Sequence, residues 1–312
     1  RFRTHVHSVR ERGNKFLDLA REIGMSKRPV DTEVQLKKKI TLRVHVDDTH
    51  LPMGPRGQLV RLEIGNTKIP HHIDNVYFDT DMKTIDALRY LHKHGYDEQK
   101  LSQLMSVGVM GQQKRITLVP TRWSISAVDD SLGKELLKKI RHYPLLNEYR
   151  LYSGLYLGNY YFVLCFPDVI QYELFETYLP GSFWNPGAVV QMAHDYEGYG
   201  GRTTYASHTV GGYYASRLGL LERLDHLKKQ ASVLVFRFET PDYWASLGVF
   251  VVREAMRKTM SMHPLLFDSR ESLITFVQKT LFKQFRLDLR ETFKKSILLE
   301  KLRKQRKLAE FL

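Results

Sequence analysis

Apolar positions along the first hundred residues recur with two different periods. Val6, Val9, Phe16, Leu17, Ala20 and Ile23 fall at helical spacing and Gly24 offers a stop, which predicts a helix over 5–23. Over 32–46 the period drops to two. Val34, Leu36, Ile40, Leu42, Val44 and Val46 take the even positions, and Lys38 interrupts the set, so this segment is predicted to be a strand. Pro52, Gly54, Pro55 and Gly57 mark a turn or loop, and a second strand is expected at 58–64. Residues 81–94 have a helical pattern. Asp97 stands where the cap of a further helix through Leu104 belongs, and Gly108 and Gly111 break the pattern.

Farther on, Ser131 is expected to cap a helix at 131–142. Two strands, 148–157 and 159–166, are rich in Tyr, Phe, Val and Leu, with a hairpin turn placed at Gly158-Asn159. A third strand is expected at 170–178. Residues 180–212 carry Gly, aromatic and polar residues with little periodicity. A helix follows at 213–229, a central strand at Ser232–Phe238, and a helix near 245–260. From 269 the chain is helical in propensity and basic, with ten Lys or Arg against four Asp or Glu between Lys283 and Leu312. Mixed elements with long loops predict an α+β fold, a central mixed sheet with flanking helices and a basic helical C-terminal tail. The expected division is an N-terminal region 1–111, a core 112–268 and a tail 269–312.

The 312 residues carry a formal net charge of +14, which favours polyanionic partners such as DNA. The lone cysteine, Cys165, lies in an apolar strand run. It permits no internal disulfide and no Cys-based zinc site, which fits a reducing, cytoplasmic setting. No stretch approaches the ~18 apolar residues of a membrane span, so no membrane partner is expected.

Two polar constellations could carry chemistry. The first, 112–130, holds Lys114, Arg115, Arg122, Trp123 and the pair Asp129-Asp130. In a functional reading Arg122 grips a phosphate, Trp123 stacks on a base, and the two aspartates hold Mg²⁺ or act as a base. In a structural reading Arg122 pairs with Asp129, and Asp129 or Asp130 caps the next helix. The second is His194-Asp195-Tyr196-Glu197 with the glycine-rich run to Tyr205, followed by His208, Gly211-Gly212, Tyr213, Tyr214 and Arg217. Asp195 and Glu197, two apart, share a side only in extended or looped backbone. Arg202 and Arg217 are natural phosphate donors, and the tyrosines offer stacking surface. The run lacks the phosphate-loop and dinucleotide fingerprints. His194, Asp195, Glu197 and His208 could meet around a metal, whereas the adjacent His71 and His72 cannot share a strand face. Glu239, just past the central strand, is a further candidate carboxylate. At the end of the chain, one helical turn brings Leu308, Phe311 and Leu312 to one side behind Gln305, an apolar plug suited to a partner's groove.

Several of these runs resemble the archaeal Nre family of DNA-repair proteins. They are Lys114 through Pro120-Thr121-Arg122-Trp123 to Asp129-Asp130, then Asp195-Tyr196-Glu197-Gly198-Tyr199-Gly200-Gly201-Arg202, Gly211-Gly212-Tyr213-Tyr214-Ala215, Thr240-Pro241-Asp242-Tyr243-Trp244 and Val252-Arg253-Glu254. The resemblance covers roughly residues 25 to 265, and the tail is similar to the peptide by which repair and replication proteins hold the sliding clamp. Some members carry a Cys-rich zinc-binding segment that this sequence, with Cys165 alone, does not contain. The resemblance implies a DNA-repair protein acting on or at damaged DNA and recruited to the clamp through Gln305, Leu308, Phe311 and Leu312. A non-catalytic DNA-binding adaptor and a metal-dependent nuclease or other phosphoryl-transfer enzyme are the alternatives. In the enzymatic reading Arg122, Asp129, Asp130, Asp195, Glu197 and Arg202 are catalytic, with Mg²⁺ as a candidate cofactor. Lys114, Arg115, Trp123, Tyr196 and Arg217 are the expected nucleic-acid contacts.

Overall fold

The computed structural model describes residues 15–39, 45–47, 50–53, 57–112, 118–243 and 248–304. The chain divides into two units, Arg1–Leu132 and Gly133–Leu312.

In the first unit, helix α1 (Lys15–Met25) precedes β1 (Thr32–Leu36), the short pair β2 (His45–Asp47) and β3 (His50–Met53), and β4 (Leu59–Ile64). Strand β1 pairs antiparallel with β4, and β2 with β3. The strand expected over 32–46 ends at Leu36, and extended structure is next assigned at His45. Helices α2 (His71–Phe78), α3 (Thr84–Lys93) and α4 (Glu98–Ser106) follow. Ile73, Val76, Ala87, Leu88, Leu91, Leu101 and Leu104 are buried in this unit. Asp97 caps α4 as its position predicts, its carboxylate accepting from the Lys100 amide at 2.7 Å.

Helix α5 (Thr121–Ile140) corrects the sequence reading. Residues 121–130, outside the helix expected at 131–142, form its first half. Ser131 is interior, its hydroxyl donating back one turn to the Ala127 carbonyl at 2.7 Å. Pro120 opens the helix: its carbonyl accepts from the Trp123 and Ser124 amides. The periodicity fails because small and polar residues, Ser124, Ser126 and Asp129, are buried along with Val128 and Leu132. No single apolar stripe marks the helix.

The second unit is built on β5 (Tyr149–Tyr156), β6 (Asn159–Phe166), β7 (Gln171–Tyr178), β8 (Gln191–Glu197), β9 (Ser232–Glu239) and β10 (Leu265–Phe267). Their order in the sheet is β10-β5-β6-β9-β7-β8; β7 and β9 run parallel and the other neighbours antiparallel, so the sheet is mixed as predicted. Every residue of the central strand β9 is buried. The β5–β6 turn falls at Leu157-Gly158, one residue earlier than expected, with φ of 47° and 71°. Two successive positive φ values match the twist of the flanking strands. Asn159 is the first strand residue and buries its side chain. Strand β8 lies inside the segment read as aperiodic; it is an edge strand whose first residues are exposed, so its alternation is weak.

Alternation along β9 sorts the core into two layers. Val233 and Val235 point to one face, with Tyr161, Tyr172 and Leu174, against Leu137 and Ile140 of α5 and against α6 (Val210–Leu227) and α7 (Val249–Ser261). Leu234, Phe236 and Phe238 point to the other, against α8 (Arg270–Phe285), α9 (Arg290–Lys295) and α10 (Ile297–Lys304). Phe238 stacks on Phe285 at 4.4 Å and Phe236 lies 4.9 Å from Phe293. The basic C-terminal helices thus form one whole layer of the unit. Among the described residues no helix is long and apolar enough to cross a membrane.

Candidate functional site

Arg122, Trp123, Asp129 and Asp130 lie on α5 within the first unit. Trp123 is 59% exposed, with the Arg122 guanidinium 5.9 Å from its ring centre. Asp129 is fully buried; being adjacent, Asp129 and Asp130 leave the helix about 100° apart, and neither caps a helix. Asp195, Glu197, Arg202 and Arg217 lie in the second unit. Lys114, Arg115 and the tail residues Gln305, Leu308, Phe311 and Leu312 lie outside the described residues.

In the second unit, extended backbone in β8 turns Asp195 and Glu197 to the same side, opposite Leu174 and Tyr172 of β7 and facing α6. Asp195 serves the start of that helix. Its Oδ2 accepts from the amides of His208 (3.1 Å) and Thr209 (2.9 Å) and from the Thr209 hydroxyl (2.9 Å), while Oδ1 pairs with Arg202 at 3.2 Å. It supplies a cap that the N-cap residue Thr209 does not itself make. Burial pushes the Asp195 carboxyl up. The Thr209 and His208 hydrogen bonds and the Arg202 charge outweigh that and hold it below the usual carboxylate range.

Glu197 accepts from the Tyr213 hydroxyl at 2.8 Å and is ion-paired with Arg217, which is fully buried, its guanidinium 5.6 Å from the centres of both the Tyr213 and Tyr214 rings. Arg202 spends its remaining donors on the carbonyls of Tyr196 (2.9 Å), Thr204 (3.3 Å) and Tyr205 (3.1 Å). These bonds tie down the glycine-rich loop that follows β8. Tyr196 and His194 point to the opposite face. Lys301 lies 4.7 Å above the Tyr196 ring, and His194 stacks on Phe175 at 4.8 Å, so the four groups imagined around a metal do not meet.

A third ionic cluster includes two residues that the sequence reading did not single out. Arg237 on β9 donates to Glu176 of β7 (2.7 Å), to Glu239 (3.0 Å) and twice to the Asn159 carbonyl oxygen (2.9 and 2.7 Å). All four side chains are buried. The cluster sits at the carboxyl ends of the parallel pair β7 and β9. Burial pushes the Glu239 carboxyl above its usual range, against the pull of Arg237 and of the Trp184 amide that donates to it. The available signal was an arginine at an inward position of the largely apolar β9. Such charges are buried only when paired.

Among the described residues no three His, Cys, Asp or Glu side chains gather as a metal ion requires. Beside Asp195, Glu197, Glu176 and Glu239 the place a cation would take is filled by a guanidinium. These four carboxylates do not fit a bound Mg²⁺ as they stand.

Family comparisons extend over nearly the whole chain. The model for the N-terminal part of archaeal Nre matches residues 2–185, and the model for its C-terminal part matches 197–311. The chain belongs to the Nre family. Both matched parts of this Nre protein contribute strands to one sheet, β5 to β7 from the first and β9 and β10 from the second. It is 38% identical over 259 residues to "DNA repair protein NreA" of Haloferax volcanii, covering 81% of this chain and 62% of the relative. It is 33% identical over 303 residues to "DNA repair protein NreB" of Archaeoglobus fulgidus, covering 96% and 75%. It is 36% identical over 274 residues to that organism's "DNA repair protein NreA", covering 88% and 69%. The chain therefore spans under two thirds of the Haloferax relative. No solved structure matches it.

Proposed function

We propose that this Nre protein is a DNA-repair factor that binds DNA without cutting it and is held at the sliding clamp by its C-terminal peptide. The observation that carries the repair role is the family membership, with relatives in two archaea that bear the name of DNA repair proteins. The net charge of +14 supports binding to a polyanion. The adaptor reading is favoured over a nuclease because the second unit's candidate carboxylates are each engaged by a guanidinium, with Asp195 also serving a helix end. For the clamp, the support is the tail itself: Gln305, Leu308 and the terminal Phe311-Leu312 pair follow directly on α10. A short apolar plug of this kind inserts into a groove as a helical turn.

Calorimetry of the full chain against the clamp tests the tail. Each buried apolar side chain contributes about 1.5–3 kcal/mol, so replacing both Phe311 and Leu312 with Ala should abolish binding while leaving the thermal melt unchanged. An affinity equal to that of the unaltered chain would overturn the clamp assignment.

A further inference from the structure

The glycine-rich loop after β8 is anchored from below and open above. Its underside is fastened by Arg202 to three carbonyls and to Asp195, and its start by the Glu197–Arg217 pair. Its outer side presents two tyrosines, Tyr199 at 46% and Tyr205 at 51% exposed.

Arg141, just past the end of α5, supplies the charge. Its guanidinium lies over the Tyr199 ring, 5.4 Å from the centre. Its Nε is buried and has no hydrogen-bond partner among the described residues, and no carboxylate pairs with it there. The guanidinium lies close to the loop backbone: a Cβ added at Gly201, where φ is +87°, would stand 3.2 Å from Arg141 Nη2 and 3.7 Å from Glu197 Oε1. A guanidinium held against an exposed aromatic ring, and engaged in no ion pair among the described residues, is complementary to an anion that arrives together with a flat ring. Lys138 and Lys134, one and two turns back along α5, are exposed, and Lys138 is ion-paired with Glu135 at 2.8 Å.

We propose that Arg141, Tyr199 and Tyr205 form a binding site for single-stranded DNA, in which unpaired bases stack on the tyrosines and Arg141 holds a neighbouring phosphate. One face of Tyr199 is covered by Arg141, so a base takes the other. Stacking of this kind needs bases that are out of the duplex, so the site selects single strands, gaps or frayed ends over paired DNA. The site lies wholly within the second unit. The inference rests on the DNA-binding reading above and names the form of DNA.

The test is fluorescence anisotropy with the full chain and labelled oligo-dT, and separately a duplex, over a range of salt concentrations. Replacing Tyr199 with Ala should weaken oligo-dT binding by roughly 5- to 150-fold, the range of one lost base–aromatic stack, and leave duplex binding nearly unchanged. Tyr199→Trp should restore it. Arg141→Ala should lower the slope of log affinity against log salt by about 0.7, the share of one single-strand phosphate. Tyr199 is exposed and Arg141 half-buried, and a thermal melt confirms folding. If the Tyr199 variants bind oligo-dT like the unaltered chain while Arg141→Ala weakens both forms equally, the loop reads charge alone and the stacking site is overturned, though DNA binding stands. If the unaltered chain binds neither form, both this site and the DNA-binding reading fall.

Discussion

The two faces of the six-stranded sheet are made from alternate residues of the same strands, yet they are packed by different chemistry. Under α8 to α10 the strands present Phe162, Phe175, Phe236 and Phe238 to further phenylalanines. One buried carboxylate there, Glu173, accepts from the Ile297 (3.0 Å) and Leu298 (3.1 Å) amides at the start of α10 and carries no ion pair among the described residues. Under α6 the same strands present Tyr161 and Tyr172 together with Glu176, Arg237, Glu239, Asp195 and Glu197. Aromatic packing is tolerant and stabilises by area. Buried ion pairs stabilise weakly in net terms but are intolerant of a missing partner, so they fix which groups meet. On the α6 face they fix the start of α6 and the loop after β8. The difference separates a layer that holds the unit together from one that places its surface loop.

The largest effect expected is from removing one partner on each side. Arg237→Met leaves Glu176 and Glu239 facing each other in a buried site, and should cost about 3–5 kcal/mol. Phe238→Ala should cost a similar amount, about 3–5 kcal/mol, by cavity formation. The pH dependence tells them apart in urea unfolding. The Arg237 deficit should grow as pH rises above 4.5, the ordinary carboxylate value, because the orphaned Glu239 carboxyl, held above its usual range by burial, resists the ionisation that the unfolded chain then undergoes. The Phe238 deficit should stay flat. Adding Glu176→Gln and Glu239→Gln to Arg237→Met should recover most of the loss. A flat Arg237 deficit would erase the distinction between the faces.

A smaller effect sharpens the comparison within the polar face. Asp195 and Glu239 are both buried carboxyls, but their shifts have opposite signs. The Asp195 carboxyl is depressed, so its stabilisation is present above pH 3.8 and is lost as pH falls through its lower folded value. Asp195→Ala should therefore cost about 1–2 kcal/mol near neutrality, as for a lost helix cap, and little in strong acid. The Glu239 carboxyl is raised, so its contribution is full below pH 4.5 and is lost as pH rises through the higher folded value. Glu239→Gln should lose its difference from the unaltered chain in the opposite direction. Parallel pH profiles for the two variants would contradict the assignment of Asp195 to a cap and of Glu239 to a desolvated cluster.

Legibility from sequence followed the same division. Strands β5, β6, β7 and β9 were readable because apolar and aromatic residues run through them, and α6 and α7 because each follows a clear break. The first half of α5 was not, since Ser124, Ser126 and Asp129 are buried where a helix normally buries apolar groups. Strand β8 was obscured by its exposed edge position. The loop and its charged residues were recognisable as a concentration of unusual groups. Their roles were not, because a carboxylate that caps a helix and one that activates water are the same residue type. Glu176 and Arg237 are 61 residues apart, and only the parallel pairing of β7 with β9 brings them together. The resemblance identified the family from its motifs alone.

The central claim, that the protein binds DNA without cutting it, is tested most directly by one gel. End-labelled DNA, single-stranded and gapped, is incubated with the full chain in Mg²⁺, and each sample is run under native and denaturing conditions. The account predicts a retarded complex on the native gel and an intact strand on the denaturing one, for the unaltered chain and for Asp195→Asn alike. Strand cleavage by the unaltered chain that Asp195→Asn or Glu197→Gln removes would contradict it, and would make these carboxylates catalytic after all.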